Sequence, residues 1–173
     1  PPFAAGTFDK VFCFGVLQHT PDPEASFTHS VALVRPGGEC VADVYRRSWK
    51  TLFWGQYYLR VITARIPPAR LFPFVAQYFA VVHTVTGWLR YLIGSHGSKI
   101  VSLMLGTADY RGLYPMKAEV MREWCLLDTF DKLSPAFDKP QTLGSVRRWA
   151  DGLLAASCEV RPGYNGIEIH VRR

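Results

Sequence analysis

Acidic residues are missing from Tyr45 to Ala108. Nine basic residues lie between Arg46 and Arg111, Asp109 is the one acid among them, and the stretch therefore carries +8. The whole chain carries +6, which leaves −2 for everything else. The pI of about 9.3 thus belongs to one segment and not to a generally basic protein. Paired cysteines are missing too. Cys13, Cys40, Cys125 and Cys158 are far apart, with no C-x-x-C and no matching histidine pair, which argues against a disulfide framework or a zinc site. Buried reduced thiols in a cytoplasmic setting are the expectation, and no metal. No secretory leader stands at the start. No nucleic-acid reader motif is present, and the aromatics fall at core-like spacing, so nucleic acid is not the expected partner.

What is present suffices for a core. Nearly half of the 173 residues, 49%, are hydrophobic, and a chain of this length buries roughly 70% of its unfolded surface. The stretch Phe8 to Tyr45 reads as strand, polar loop, helix, Pro-Gly-Gly turn and strand. Phe8, Val11, Phe12, Cys13, Phe14, Val16 and Leu17 form a near-continuous apolar run, the pattern of a parallel strand covered on both faces. Gly15 lets a ligand or another backbone approach. Asp22 is placed to cap a helix with Pro23 at its first position, and Phe27, Val31 and Val34 are spaced to face a sheet. Pro36-Gly37-Gly38 should end that helix before a strand over residues 39–45. Strand, short helix and strand in this order favour a parallel pair. Ligands of such sheets bind outside the carboxyl ends of the strands, which puts residues 15–19 and 43–45 at the mouth.

This stretch resembles the second half of the cofactor-binding core of class I S-adenosylmethionine-dependent methyltransferases of the small-molecule type. The resemblance rests on the opening PPFAAGTFD, the loop GVLQHTPD and the turn RPGG, in that order. It implies a partial Rossmann-like α/β sheet: the last strands of a doubly wound sheet, a C-terminal antiparallel hairpin and an inserted helical lid. It implies S-adenosylmethionine as cofactor, lying along Gly15, Val16, Leu17, Gln18 and His19. His19 either shapes that loop or serves as the base that deprotonates an acceptor. The family's glycine-rich turn has no counterpart, since the fourteen glycines include no G-x-G-x-G and Gly94-Ser95-His96-Gly97 reads as a plain loop. A partial chain is therefore expected, with Phe12, Phe14 and Val16 at an unpaired edge, so that either the missing N-terminal half or self-association is the expected partner.

Three stretches divide the chain in this reading: 1–45 as the core βαβ, 46–111 as a basic aromatic insert, and 112–173 as the return segment. The insert should form two or three helices, broken at Pro67-Pro68, Pro73 and the glycines near Ser95. Phe74, Tyr78, Val81, Val85, Leu89 and Leu92 recur at helical spacing, and Leu71 to Leu89 holds no charge. Pro73, Gln77, His83, Thr84 and Thr86 weigh against a membrane span there. A helical lid over the mouth is the first reading, and a patch that rests on a membrane surface is the second.

Residues Trp124 to Pro140 resemble a segment, W-x-x-L-D-x-F-D-x-x-S-P-x-Y-D-x-P, of a subset of these methyltransferases. Phe137 stands where that pattern has tyrosine. The resemblance implies Tyr45, Trp124, Asp128 and Asp131 as substrate-binding residues. The other reading of the aspartates is turn capping and pairing with Lys132 and Lys139. At the end, Thr142 is placed to cap a helix carrying Leu143, Val146, Trp149 and Leu153, and Asn165-Gly166 signals a hairpin. The expected function is methyl transfer to a small or lipid-like acceptor. The alternatives are a non-catalytic methyltransferase-like partner subunit and a basic membrane-surface module.

Overall fold

The computed structural model describes residues 2–173. Its elements run β1 (Phe8–Cys13), α1 (Pro23–Ala32), β2 (Val34–Val44), α2 (Gly55–Thr63), α3 (Pro68–Met104), α4 (Ala118–Leu133), α5 (Leu143–Asp151), β3 (Ser157–Pro162) and β4 (Ile167–Arg172). The chain forms two compact units. One holds the residues up to Ser48 together with Phe137–Arg173, and the other is Trp49–Ala136.

The first unit is a mixed α/β sheet in the order β1-β2-β4-β3. β1 and β2 are parallel, with Val11 beside Cys40 and Cys13 beside Ala42. The hairpin β3–β4 adds two antiparallel strands. Local chemistry sets the helix ends. Asp22 accepts a hydrogen bond from the Ala25 N–H at 3.0 Å with Pro23 opening α1, and Thr142 and Ser145 form a reciprocal capping box at α5. Period-two alternation points Cys40, Ala42, Val44, Ile167, Ile169 and Val171 to one face, where Phe27, Val31, Val146 and Trp149 of the two helices cover them. Phe27, Val146 and all three β4 residues are fully buried.

Two readings of this unit change. Pro36-Gly37-Gly38 does not end the helix. Leu33 already terminates α1, and the glycines form an irregularity inside β2, where the register jumps between the pairs Phe8–Val34 and Lys10–Glu39. Gly38 is required there, because a Cβ would stand 2.5 Å from the Asp9 carbonyl oxygen. Nor is β1 covered on both faces among the described residues. It is an edge strand, and its Phe12 and the following Phe14 are more than half exposed and stacked on each other at 6.1 Å.

The second unit is helical. Phe79 of α3 packs with Met121 and Cys125 of α4 and with Ala108, while Leu71 and Val75 pack with Leu133. The start of α2 lies so close to the end of α3 that a Cβ at Gly55 would fall 2.0 Å from the Met104 carbonyl oxygen. Pro73 does not break α3. It sits near the start of the helix, where its missing N–H costs a single backbone bond. The break comes at Gly94, at φ +74° and ψ 175°, and residues 95–97 resume helix where a loop was expected. The buried stripe of α3 is Leu71, Val75, Phe79, Val82 and Thr86. The stripe marked out by sequence spacing faces outward instead, with Phe74, Val81 and Leu92 at 66%, 64% and 80% exposure. Both stripes are apolar, so periodicity alone does not choose between them. No helix of the described residues is long and apolar enough to cross a membrane.

Candidate functional site

The mouth of the sheet unit is built where β1 ends. Gly15 adopts a left-handed φ of +67°, and no atom lies within 4 Å of the place its Cβ would occupy. Its N–H donates to Asp43 Oδ1 at 2.5 Å, and the Asn165 side-chain amide donates to Asp43 Oδ2 at 2.9 Å. Asp43, only 4% exposed, thereby ties the exit of β1, the end of β2 and the β3–β4 turn together. Residues Leu17–His19 then form one tight helical turn. Leu17 drops into the core and Gln18 is wholly buried, while Val16 stays half exposed.

His19 is held by a bond across 118 residues. Its Nδ1 lies 2.9 Å from the Phe137 carbonyl oxygen. A carbonyl only accepts, so Nδ1 carries the proton of the neutral ring and Nε2 keeps its lone pair. The ring meets Tyr45 edge-on at 5.8 Å. Lys139 completes this corner, its backbone N–H donating to the Gln18 carbonyl at 2.8 Å and its ammonium to Pro21 O at 2.6 Å. The mouth thus presents an open glycine, a fixed turn and one imidazole with a free nitrogen.

Comparison with known proteins bears on this same stretch. A family model described as a methyltransferase domain matches residues 1–42, which hold β1, the turn, α1 and most of β2. The match to a methyltransferase domain is confined to these residues, about a quarter of the chain. Similar proteins include the ubiquinone biosynthesis O-methyltransferase of Psychrobacter cryohalolentis, 37% identical over 62 residues that cover 34% of this chain and 24% of that protein. The Escherichia coli enzyme of the same name is 26% identical over 102 residues, 57% of this chain and 42% of its own length. The chain therefore matches well under half the length of these relatives.

The mouth offers the open space and polar atoms that one flank of S-adenosylmethionine, the donor of such domains, would need. Open space beside Gly15 admits a close ligand. Both atoms of the buried Gln18 amide lack hydrogen-bond partners among the described residues, a donor and an acceptor that suit a polar group. No glycine-rich turn accompanies them in the sequence.

The other sequence-marked residues lie on α4, in the helical unit. Trp124 packs against Tyr110 and Tyr114 at 5.0 Å each. Asp128 accepts from the Tyr110 hydroxyl at 2.5 Å and pairs with Lys132 at 2.7 Å, one helical turn on. Burial first, and then the bond to Asp128, holds the Tyr110 phenol well above its ordinary pKa, so it stays a donor. Asp131 is exposed on the same helix. Both aspartates are thus helical, not turn residues. The four cysteines are free, and burial pushes the Cys40 thiol up to about 12, which leaves it unreactive. Sequence reading missed Asn165 as a partner of Asp43, because Asn-Gly already had a full local explanation in the hairpin.

Proposed function

We propose that this chain takes part in S-adenosylmethionine-dependent methyl transfer to a small or lipid-like acceptor. Residues Gly15, Val16, Leu17, Gln18 and His19 lie along the donor, and His19 is the base. The observation that carries the reading is the coincidence of two features on one loop. The methyltransferase-domain match spans it, and its geometry leaves Gly15 open and fixes the His19 ring through Nδ1. The bound cofactor supplies an electrophilic methyl group on a sulfonium. The chain's part is to hold the donor against β1, orient the acceptor in line, and take its hydroxyl or amine proton on Nε2 as the new bond forms.

Calorimetric titration of S-adenosylmethionine into this chain should give one-to-one binding in the micromolar range. Gly15→Val should weaken it about tenfold or more, because a β-branched residue is strained at positive φ by ~1–3 kcal/mol. His19→Gln should leave donor affinity in place and lower turnover by about 100-fold. A folded sample that takes up no donor would sink the reading and favour a non-catalytic partner subunit.

One observation favours a second role alongside the first. The outward stripe of α3, with Phe74, Val81, Val85, Trp88 and Leu92 exposed, belongs to the segment with no acid from Tyr45 to Ala108. Apolar side chains on a cationic segment suit the surface of an anionic bilayer, whereas a second copy of the same charge would be repelled. Sedimentation with anionic vesicles should carry the protein down at low salt, with loss at high salt and in Val81→Asp. Equal uptake by neutral vesicles would remove this role.

A further inference from the structure

The helical unit holds a cavity of about 490 Å³ between α3 and the segment before α4. The methyl-transfer reading uses none of its residues. Arg111 forms one wall, and each of its three guanidinium nitrogens donates a hydrogen bond. Nε and Nη2 bond the two Asp109 oxygens at 2.8 and 2.6 Å, Nη2 also reaches Thr86 Oγ1 at 2.8 Å, and Nη1 donates to the His83 carbonyl at 3.1 Å. Asp109 balances that charge, its side chain only 2% exposed. Gly87 allows the close approach, since a Cβ there would stand 3.1 Å from Arg111 Nη1.

Arg90 lines the same cavity and differs in one respect. Nη1 donates to the Arg111 carbonyl at 3.2 Å, and no carboxylate of the described residues meets the guanidinium. Two guanidiniums therefore face one carboxylate, and the cavity keeps a net positive charge. His83 adds an imidazole whose Nε2 is buried and has no hydrogen-bond partner among the described residues. Trp88 and Tyr91 form the remaining wall and are 72% and 88% exposed. Beyond Trp88, the α3 surface continues apolar through Val85 and Leu92.

We propose that this cavity binds an oxyanion carried on an apolar body, a fatty carboxylate or an alkyl phosphate. The oxyanion lies on Arg90 and the apolar body lies against Trp88 and Tyr91. A guanidinium fork matches the paired oxygens of carboxylate and phosphate. The net positive charge rejects cations, and the aromatic wall gives an alkyl or aryl body surface to cover. An inorganic anion would leave that wall unused, and a neutral alcohol would leave Arg90 without a counter-charge.

The probes are octanoate and octyl phosphate, each below its micellar range, against octanol and inorganic phosphate, read by calorimetry and tryptophan fluorescence. Both amphiphilic anions should bind, with octanol and inorganic phosphate weaker by about tenfold or more. The anion that binds tighter identifies the headgroup. Arg90→Gln should lose about tenfold or more for both anions. Trp88→Ala, at an exposed position that does not hold the fold, should weaken both several-fold. Octanol binding as tightly as octanoate would overturn the site, as would unchanged affinity in Trp88→Ala, whether or not Arg90→Gln folds.

Discussion

Asp43→Ala is expected to destabilise the sheet unit by about 2–4 kcal/mol and to abolish donor binding. The carboxylate is nearly buried and accepts two hydrogen bonds, from the Gly15 N–H and the Asn165 amide. Alanine removes both acceptors and leaves both donors behind, each costing about 1–3 kcal/mol when it stays away from water. The damage extends to the mouth. Gly15 holds its φ of +67° with the help of that bond, so the turn that follows β1 loses its anchor. Asn165→Ala should cost less, about 1 kcal/mol, because only one donor is withdrawn and the carboxylate keeps the other. Asp43→Asn preserves shape but sets an amide N–H against one of the two donors, and should lie between. Denaturant melts of the three variants check the order. Stability of Asp43→Ala within about 0.5 kcal/mol of the parent would show that the clamp holds nothing.

The features legible in the sequence are those fixed by neighbours along the chain. Asp22 and Pro23 start α1 where their spacing says, Thr142 caps α5, and Asn165-Gly166 turns β3 into β4. Alternation in β4 names the buried face correctly, because Glu168, His170 and Arg172 make the other face polar. α3 gave no such contrast. From Leu71 to Leu89 it carries no charge, so its helical period is visible and its orientation is not. The buried side is chosen by Leu133, Met121 and Cys125, which lie far along the chain. The mouth divides in the same way. Gly15 and His19 are readable from the loop itself. The bonds that fix them are not: Phe137 holds His19 across 118 residues, and Asp43, which holds Gly15, is itself bonded by Asn165 across 122, both from positions with local explanations of their own. Pro36-Gly37-Gly38 shows the converse, a strong turn signal absorbed as an irregularity inside a strand.

Asp109→Ala should be the costliest change in the helical unit, about 3 kcal/mol or more. It strands the Arg111 guanidinium, whose side chain is only 20% exposed, without its counter-charge. Acid should act on the same corner in two stages. Burial alone would raise the Asp109 carboxyl, but the hydrogen bonds and charge of Arg111 outweigh it and leave the pKa below its ordinary 3.8. Burial, and then the charge of Arg111, lowers His83 below its ordinary 6.5, with Arg122 acting the same way and Asp109 opposing. For both groups the unfolded chain binds the proton more readily than the folded one, so stability falls as pH falls. The first loss begins below about 6.5, as an unfolded His83 gains a proton that the folded ring resists. The second begins below 3.8, and is complete once pH passes below the folded Asp109 pKa. Denaturant melts followed between pH 8 and pH 3 should show the upper decline removed in His83→Gln and retained in Asp109→Asn. An upper decline that survives His83→Gln unchanged would place its origin in another group, and a stability flat from pH 8 to pH 5 would remove His83 from the account. The same imidazole lines the proposed oxyanion cavity, and since Arg111 bonds the His83 backbone carbonyl, His83→Gln keeps that bond while it tests the part of the ring in binding octanoate.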